Sequence, residues 1–191
     1  MTRLKITGFF LIALMTVSSL CQAVSASGEI EYGGPFELLD HNGRTVTDRD
    51  FLGNYMLIYF GYTYCPDICP TSLVRMTAAL RQMGDRANAI QPIFISVDSL
   101  RDTPERIAPY VKAFDKRLIG LTGDSDAISA AASAYWVQYF AGMLEGEYVV
   151  GHTGYLYLVG PDGGFIEKIP DSISPQELAA KLLKYLDQTD G

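Results

Sequence analysis

Six consecutive apolar residues, Tyr55-Met56-Leu57-Ile58-Tyr59-Phe60, stop at Gly61 and constrain the fold more than any other stretch of the chain. A strand with one wet face alternates apolar and polar side chains, so a run without alternation predicts a strand covered on both faces. Such a strand needs packed layers above and below it, and its neighbours in the sequence provide them. Pro35 to Leu39 and Arg44 to Val46 flank the turn Asp40-His41-Asn42-Gly43, whose Asn-Gly step signals a leading hairpin. After the apolar run a helix is expected over Thr71 to Gln82, with Pro70 at its first position. A second buried strand, Pro92 to Val97, follows that helix, and the βαβ crossover makes it parallel to the first.

Thr103-Pro104 has the cap-then-proline form of a helix start, running to Phe114, and Leu118 to Leu121 reads as a short strand. Asp124 to Tyr135 is helical in pattern, with an acidic first turn that suits the macrodipole. Tyr148-Val149-Val150 is strand-like. Tyr155 to Val159 and Phe165 to Ile169 form a second hairpin around Pro161-Asp162-Gly163-Gly164. Ser174-Pro175-Gln176-Glu177 is a capping box that opens a last helix through Leu186. This order predicts an α/β fold: a mixed sheet flanked by helices, with an N-terminal β-hairpin extension.

The first 26 residues belong to a different kind of segment. Arg3 and Lys5 precede the uncharged run Ile6 to Leu20, and small residues follow at Ala23, Ser25 and Ala26, as in an export signal cleaved after Ala23 or Ala26. A retained N-terminal membrane anchor is the alternative, because extending the run to Val24 nearly reaches the roughly 20 residues of a span. Leu20 before Cys21 is not the small residue a lipid-attachment site wants. Residues 27–34 are polar and Gly-rich, as a linker is, which leaves 35–191 as the folded domain. The net charge of −7 gives no electrostatic footprint for phosphate backbones, so nucleic acid is excluded as the expected partner.

With Cys21 in the targeting segment, the exported domain keeps Cys65 and Cys69. Two cysteines four apart cannot staple distant parts of a fold, so their role is chemical. They lie in the loop between a buried strand and a helix, where unpaired backbone N–H groups and the helix dipole favour thiolate. The spacing allows a strained disulfide, a redox-active dithiol or joint metal ligation. His41 reads as a solvated turn residue. His152, in Gly151-His152-Thr153-Gly154 just before the strand from Tyr155, reaches the same sheet edge as the cysteine loop if that strand runs antiparallel to Tyr55–Phe60. Two thiolates and one imidazole form a soft, low-coordinate donor set that suits Cu(I), and the imidazole also tolerates Cu(II). Zinc usually adds a fourth ligand. Asp67 is expected to shape the loop by bonding local N–H groups, or else to meet a cationic partner. Tyr62 and Tyr64 read as packing beside the strand end, with flanking the metal as the alternative, and Tyr135, Trp136, Tyr139 and Phe140 as core or a partner-facing patch.

The block Gly61-Tyr62-Thr63-Tyr64-Cys65-Pro66-Asp67-Ile68-Cys69-Pro70 carries a family likeness, together with Val97-Asp98, Arg101-Asp102-Thr103-Pro104-Glu105, His152-Thr153 and Gly160-Pro161-Asp162-Gly163. From about Phe36 onward the chain resembles the Sco/SenC copper proteins. The resemblance implies a thioredoxin-like fold on an exported, usually membrane-anchored domain in the periplasm or an equivalent intermembrane compartment. It implies copper held by Cys65, Cys69 and His152, and assistance in metallating the binuclear copper centre of cytochrome c oxidase. The copper-accepting subunit of the oxidase, a thioredoxin-like reductant and other copper chaperones are the partners expected. The family commonly has an acidic residue just before this histidine, where this chain has Gly151.

Two further classes compete with a copper assembly factor. A thiol-disulfide oxidoreductase would keep the oxidase's cysteines reduced, but such enzymes usually place two residues between the cysteines and a proline where this chain has His152. A peroxidase of the peroxiredoxin type wants a threonine three residues before its reactive cysteine, and that position is Tyr62.

Overall fold

The computed structural model describes residues 32–189; the expected signal or anchor and most of the linker lie outside them. The main sheet is built from β1 (Glu37–Asp40), β2 (Thr45–Thr47), β3 (Tyr55–Gly61), β4 (Ile90–Ser96), β5 (Ile119–Thr122), β8 (Tyr155–Val159) and β9 (Phe165–Pro170). Among the described residues these seven strands lie in the order β2-β1-β5-β4-β3-β8-β9. β3, β4 and β5 are parallel, and the remaining pairings are antiparallel. The helices are α1 (Ile68–Gln82), α2 (Pro104–Phe114), α3 (Ser125–Ala134) and α4 (Pro175–Thr189).

The apolar run is buried on both sides, as its lack of alternation required. Tyr55, Leu57 and Tyr59 face a core built with Leu73, Met76 and Leu80 of α1, Ile107 and Val111 of α2, and Leu178 and Leu182 of α4. Met56, Ile58 and Phe60 face the opposite core, with Phe51, Tyr135 and Ile128 and Ala131 of α3. A period of two therefore puts α1, α2 and α4 on one face and α3 on the other.

Several elements differ from expectation. Helix α1 begins at Ile68, so Pro70 is its third residue. Proline is harmless anywhere in a first turn, whose N–H groups have no partner inside the helix, and so it does not fix the start to one position. Cys69 consequently sits within the first turn. Strand β4 begins at Ile90, before Pro92; its β5 partners start at Ile93, so the missing N–H of Pro92 breaks no bond on that side. His41 is not simply solvated, because its Nδ1 accepts the Gly120 N–H at 3.1 Å and ties the leading hairpin to β5. A strand that no turn signal announced, β6 (Tyr139–Leu144), pairs with β7 (Glu147–His152) in a separate two-stranded ribbon. Its turn residues Glu145 and Gly146 both have positive φ, 51° and 88°, as a type I′ turn requires. Of the aromatic cluster, Tyr135 is core, Tyr139 packs at the core's margin, and Trp136 and Phe140 are exposed. Where the linker was expected, Tyr32 stacks on Phe165 and the Gly33 N–H donates to the Ala134 carbonyl.

Candidate metal centre

Three pieces of chain meet at the edge of the sheet where β3 ends. The first is the loop from Tyr62 to Asp67, which carries Cys65. The second is the first turn of α1, which carries Cys69. The third is the end of β7, brought here because β8 runs antiparallel to β3, with Leu156 opposite Tyr59. The antiparallel pairing on which His152 depended is therefore present. His152 Nε2 lies 3.1 Å from Cys69 Sγ, and the Cys69 amide N–H donates to Cys65 Sγ at 3.4 Å.

Both thiols are free, Cys65 half-buried and Cys69 fully buried. Their protonation differs for local reasons. Burial alone would raise the Cys65 thiol, but the backbone N–H groups of Cys69 and Asp67 outweigh it and hold Cys65 below the ordinary thiol value. Burial pushes Cys69 up to about 12, so this sulfur keeps its proton at neutral pH. Burial also lowers His152, with the Thr153 carbonyl and the Asp171 charge opposing it in part. Nδ1 of His152 is 3.1 Å from the Thr153 carbonyl, which can only accept. The ring proton is thus on Nδ1, and Nε2 offers its lone pair to the Cys69 S–H. Among the described residues no three His, Cys, Asp or Glu side chains stand in closed metal-holding geometry. Cys69 and His152 touch, and Cys65 is held beside them.

The surroundings restrict these groups. Tyr59 and Tyr62 present their rings edge-on to the imidazole, with centroids at 5.8 and 5.9 Å. At Gly61 an added Cβ would come within 3.1 Å of Cys69 Sγ and 2.9 Å of Phe94, so only glycine lets β3 end this close to the sulfur. Asp171, which sequence reasoning missed, accepts from Ser72 Oγ at 2.8 Å and from Tyr59 OH at 3.4 Å. No motif marks it; it arrives only because β9 pairs Pro170 with Tyr155. Asp67 caps α1 without a side-chain hydrogen bond and acts on the site through its backbone N–H, which corrects the loop-bonding role expected of its carboxylate. Tyr64 is likewise not interior packing: it is half exposed, with Arg101 and Arg106 over its ring.

Buried Asp102 holds the cysteine loop to β4. It accepts the Thr63 N–H at 2.8 Å and Ser96 Oγ at 2.6 Å. The Thr63 hydroxyl donates to the other carboxylate oxygen at 2.5 Å, so Asp102→Ala removes the acceptor of three donors, and the expected loss is about 3 kcal/mol of unfolding free energy. Denaturant titration measures it; a loss under about 1 kcal/mol would mean the loop is held by other contacts.

The sequence matches the family described as SCO1/SenC over residues 24–187. The chain belongs to the SCO1/SenC family. It is 41% identical over 158 residues to "Protein SCO1 homolog, mitochondrial" of Homo sapiens, covering 81% of this chain and 52% of that protein. It is 37% identical over 174 residues to "Protein SenC" of Rhodobacter capsulatus, covering 90% of this chain and 79% of that one. The chain thus spans about half the length of the human relative. Among solved SCO1/SenC structures, that of Bradyrhizobium japonicum ScoI with copper bound is 43% identical and superposes with a TM-score of 0.74, covering 81% of this chain and 99% of that one. The fold is the thioredoxin-like one of the family.

Proposed function

We propose that this chain is a copper chaperone which binds copper through Cys65, Cys69 and His152 and assists metallation of the binuclear copper centre of cytochrome c oxidase. The observation that carries the reading is the 3.1 Å approach of His152 Nε2 to Cys69 Sγ, with Cys65 Sγ held at the Cys69 amide. The copper bound by the Bradyrhizobium japonicum relative supports it.

In the metal-free protein the Cys69 proton occupies the line between sulfur and Nε2. Copper replaces that proton, and the soft donor set favours Cu(I). The Thr153 carbonyl keeps the imidazole in the tautomer that ligation needs. The half-exposed Cys65 is the ligand an acceptor reaches first, so copper leaves by ligand exchange from that side. A disulfide between the cysteines would block loading, which implies a thioredoxin-like reductant donating two electrons and two protons; other copper chaperones are candidate donors. The site of action is an exported compartment, the periplasm or its intermembrane equivalent, with residues 1–26 as signal or anchor. Among the described residues no helix is long and apolar enough to cross a membrane.

A second reading has its own observation. The more acidic, more exposed Cys65 beside the buried Cys69 is the arrangement of an attacking and a resolving thiol. Cys65 thiolate would attack an oxidase disulfide, and Cys69 would then release the reduced product and leave a Cys65–Cys69 disulfide. One experiment separates the two. The Cu(I)-loaded chain is mixed with the metal-free copper domain of an oxidase subunit, once reduced and once oxidised. Copper transfer to the reduced domain, lost in His152→Ala while disulfide reduction persists, is the expected result. Transfer undiminished in His152→Ala would remove the histidine from the mechanism, and disulfide reduction by the parent chain without copper transfer would favour the redox reading.

A further inference from the structure

His152 ends a ribbon that, among the described residues, pairs with no strand of the main sheet. Two strands alone are marginally stable, so a ligand at the end of such a ribbon needs fixing by something else. Tyr139 and Val150 pack against the core at its base, and the Thr153 N–H donates to the Gln138 carbonyl. A further hold lies along β7, at Tyr148. Tyr148, Val150 and His152 share one face of the strand by its period of two.

The Tyr148 hydroxyl donates to Asp98 Oδ1 at 3.0 Å, and the Arg101 guanidinium lies 4.6 Å from the centroid of its ring. Asp98 is fully buried just beyond β4, and its other carboxylate oxygen takes Arg101 Nε. The same guanidinium is 4.5 Å from the Tyr64 ring, on the residue immediately before Cys65, and Arg106 lies 3.9 Å from that ring. Arg101 is therefore shared between a ring of the cysteine loop and a ring of the histidine ribbon, and is held by a carboxylate that neither carries.

We propose that Tyr148, Arg101 and Asp98 form a clasp that positions His152 against Cys65 and Cys69, so that Tyr148 and Arg101 are positioning residues for copper although neither touches it. The inference rests on the reading of those three residues as the copper site. The clasp restricts the ribbon's swing, and the imidazole therefore meets the sulfurs already placed. Loss of a group that only orients a ligand typically weakens metal binding between about ten- and a hundredfold.

The test uses the full reduced chain. Tyr148→Phe removes only the bond to Asp98; Tyr148→Leu removes the ring contact with Arg101 as well. Competition titration with Cu(I) is expected to show about tenfold weaker binding in Tyr148→Leu and a smaller loss in Tyr148→Phe. In a His152→Ala background neither substitution weakens binding further, because the clasp acts through that imidazole. In metal-free protein, amide hydrogen exchange at residues 150–152 is faster in both variants. Parental affinity in both variants, or the same loss with and without His152, overturns the proposal. Should the parent chain bind no copper, the copper reading falls, and exchange alone decides the clasp: unchanged rates overturn it and faster rates uphold it. If Tyr148→Leu does not fold, Tyr148→Phe decides by the same criteria.

Discussion

Reduced protein titrated with Cu(I) takes up one equivalent, and Cys65→Ser, Cys69→Ser and His152→Ala each lose it. The loss in each exceeds the roughly 100-fold that follows removal of a residue which merely orients a ligand. The physical cause differs by position. Serine at either cysteine keeps the shape but offers a hydroxyl that does not ionise near neutral pH and is a hard donor, which Cu(I) disfavours. At the fully buried Cys69 the hydroxyl still donates to His152 Nε2 in place of the thiol, so the fold is retained and unfolding free energy changes by less than about 1 kcal/mol. His152→Ala deletes the nitrogen and leaves the two sulfurs, so weak dithiol binding survives while binding at buffered, low free copper does not. The measurement is competition against a Cu(I) chelator, with thermal unfolding alongside. Retention of parental affinity in any one variant would strike that residue from the ligand set.

The parts of this site that lie close together in the sequence were legible there. A buried strand ending at Gly61 followed by Cys-Pro-Asp-Ile-Cys puts both sulfurs at a helix start whatever the rest of the chain does. His152 was reachable by one topological step, since a hairpin strand laid antiparallel to β3 must begin at the edge where β3 ends. What failed to show was whatever depends on pairing without a sequence mark. Strand β6 was missed because its turn is Glu145-Gly146, where the positive φ at Glu145 is one that a glutamate rarely adopts. With β6 unseen, Tyr148 had no ribbon to belong to and its bond to Asp98 had no reason to be expected. Asp171 was invisible for a similar cause: its approach to Tyr59 and Ser72 is a matter of β8–β9 register. The unequal protonation of the two cysteines also needed three dimensions, because it depends on which sulfur is buried and which one receives the amide hydrogens.

That inequality sets how copper binding responds to pH. Cys69, pushed up to about 12, carries its proton throughout the neutral range and must release it to every copper ion bound. Affinity therefore rises with pH by about a decade per unit from this group alone. Cys65 is held below the ordinary thiol value, so it adds a second proton, and a steeper slope, only as the solution is acidified through its own titration. His152, lowered by burial, adds its own proton on the acid side, where protonation of Nε2 removes a ligand. The sign is the same for all three: acid weakens binding, and the slope steepens downward in pH from about one proton toward three. Chelator competition from about pH 6 to pH 9, with direct measurement of protons released, reads the slope. The same inequality orders alkylation of the metal-free dithiol, with iodoacetamide modifying Cys65 before Cys69 at neutral pH because Cys65 is only half-buried and held below the ordinary thiol value, while Cys69 is fully buried and raised. Affinity independent of pH, or Cys69 reacting first, would mean that the buried sulfur is already a thiolate, and the proton between Cys69 and His152 that copper is argued to replace would not be there.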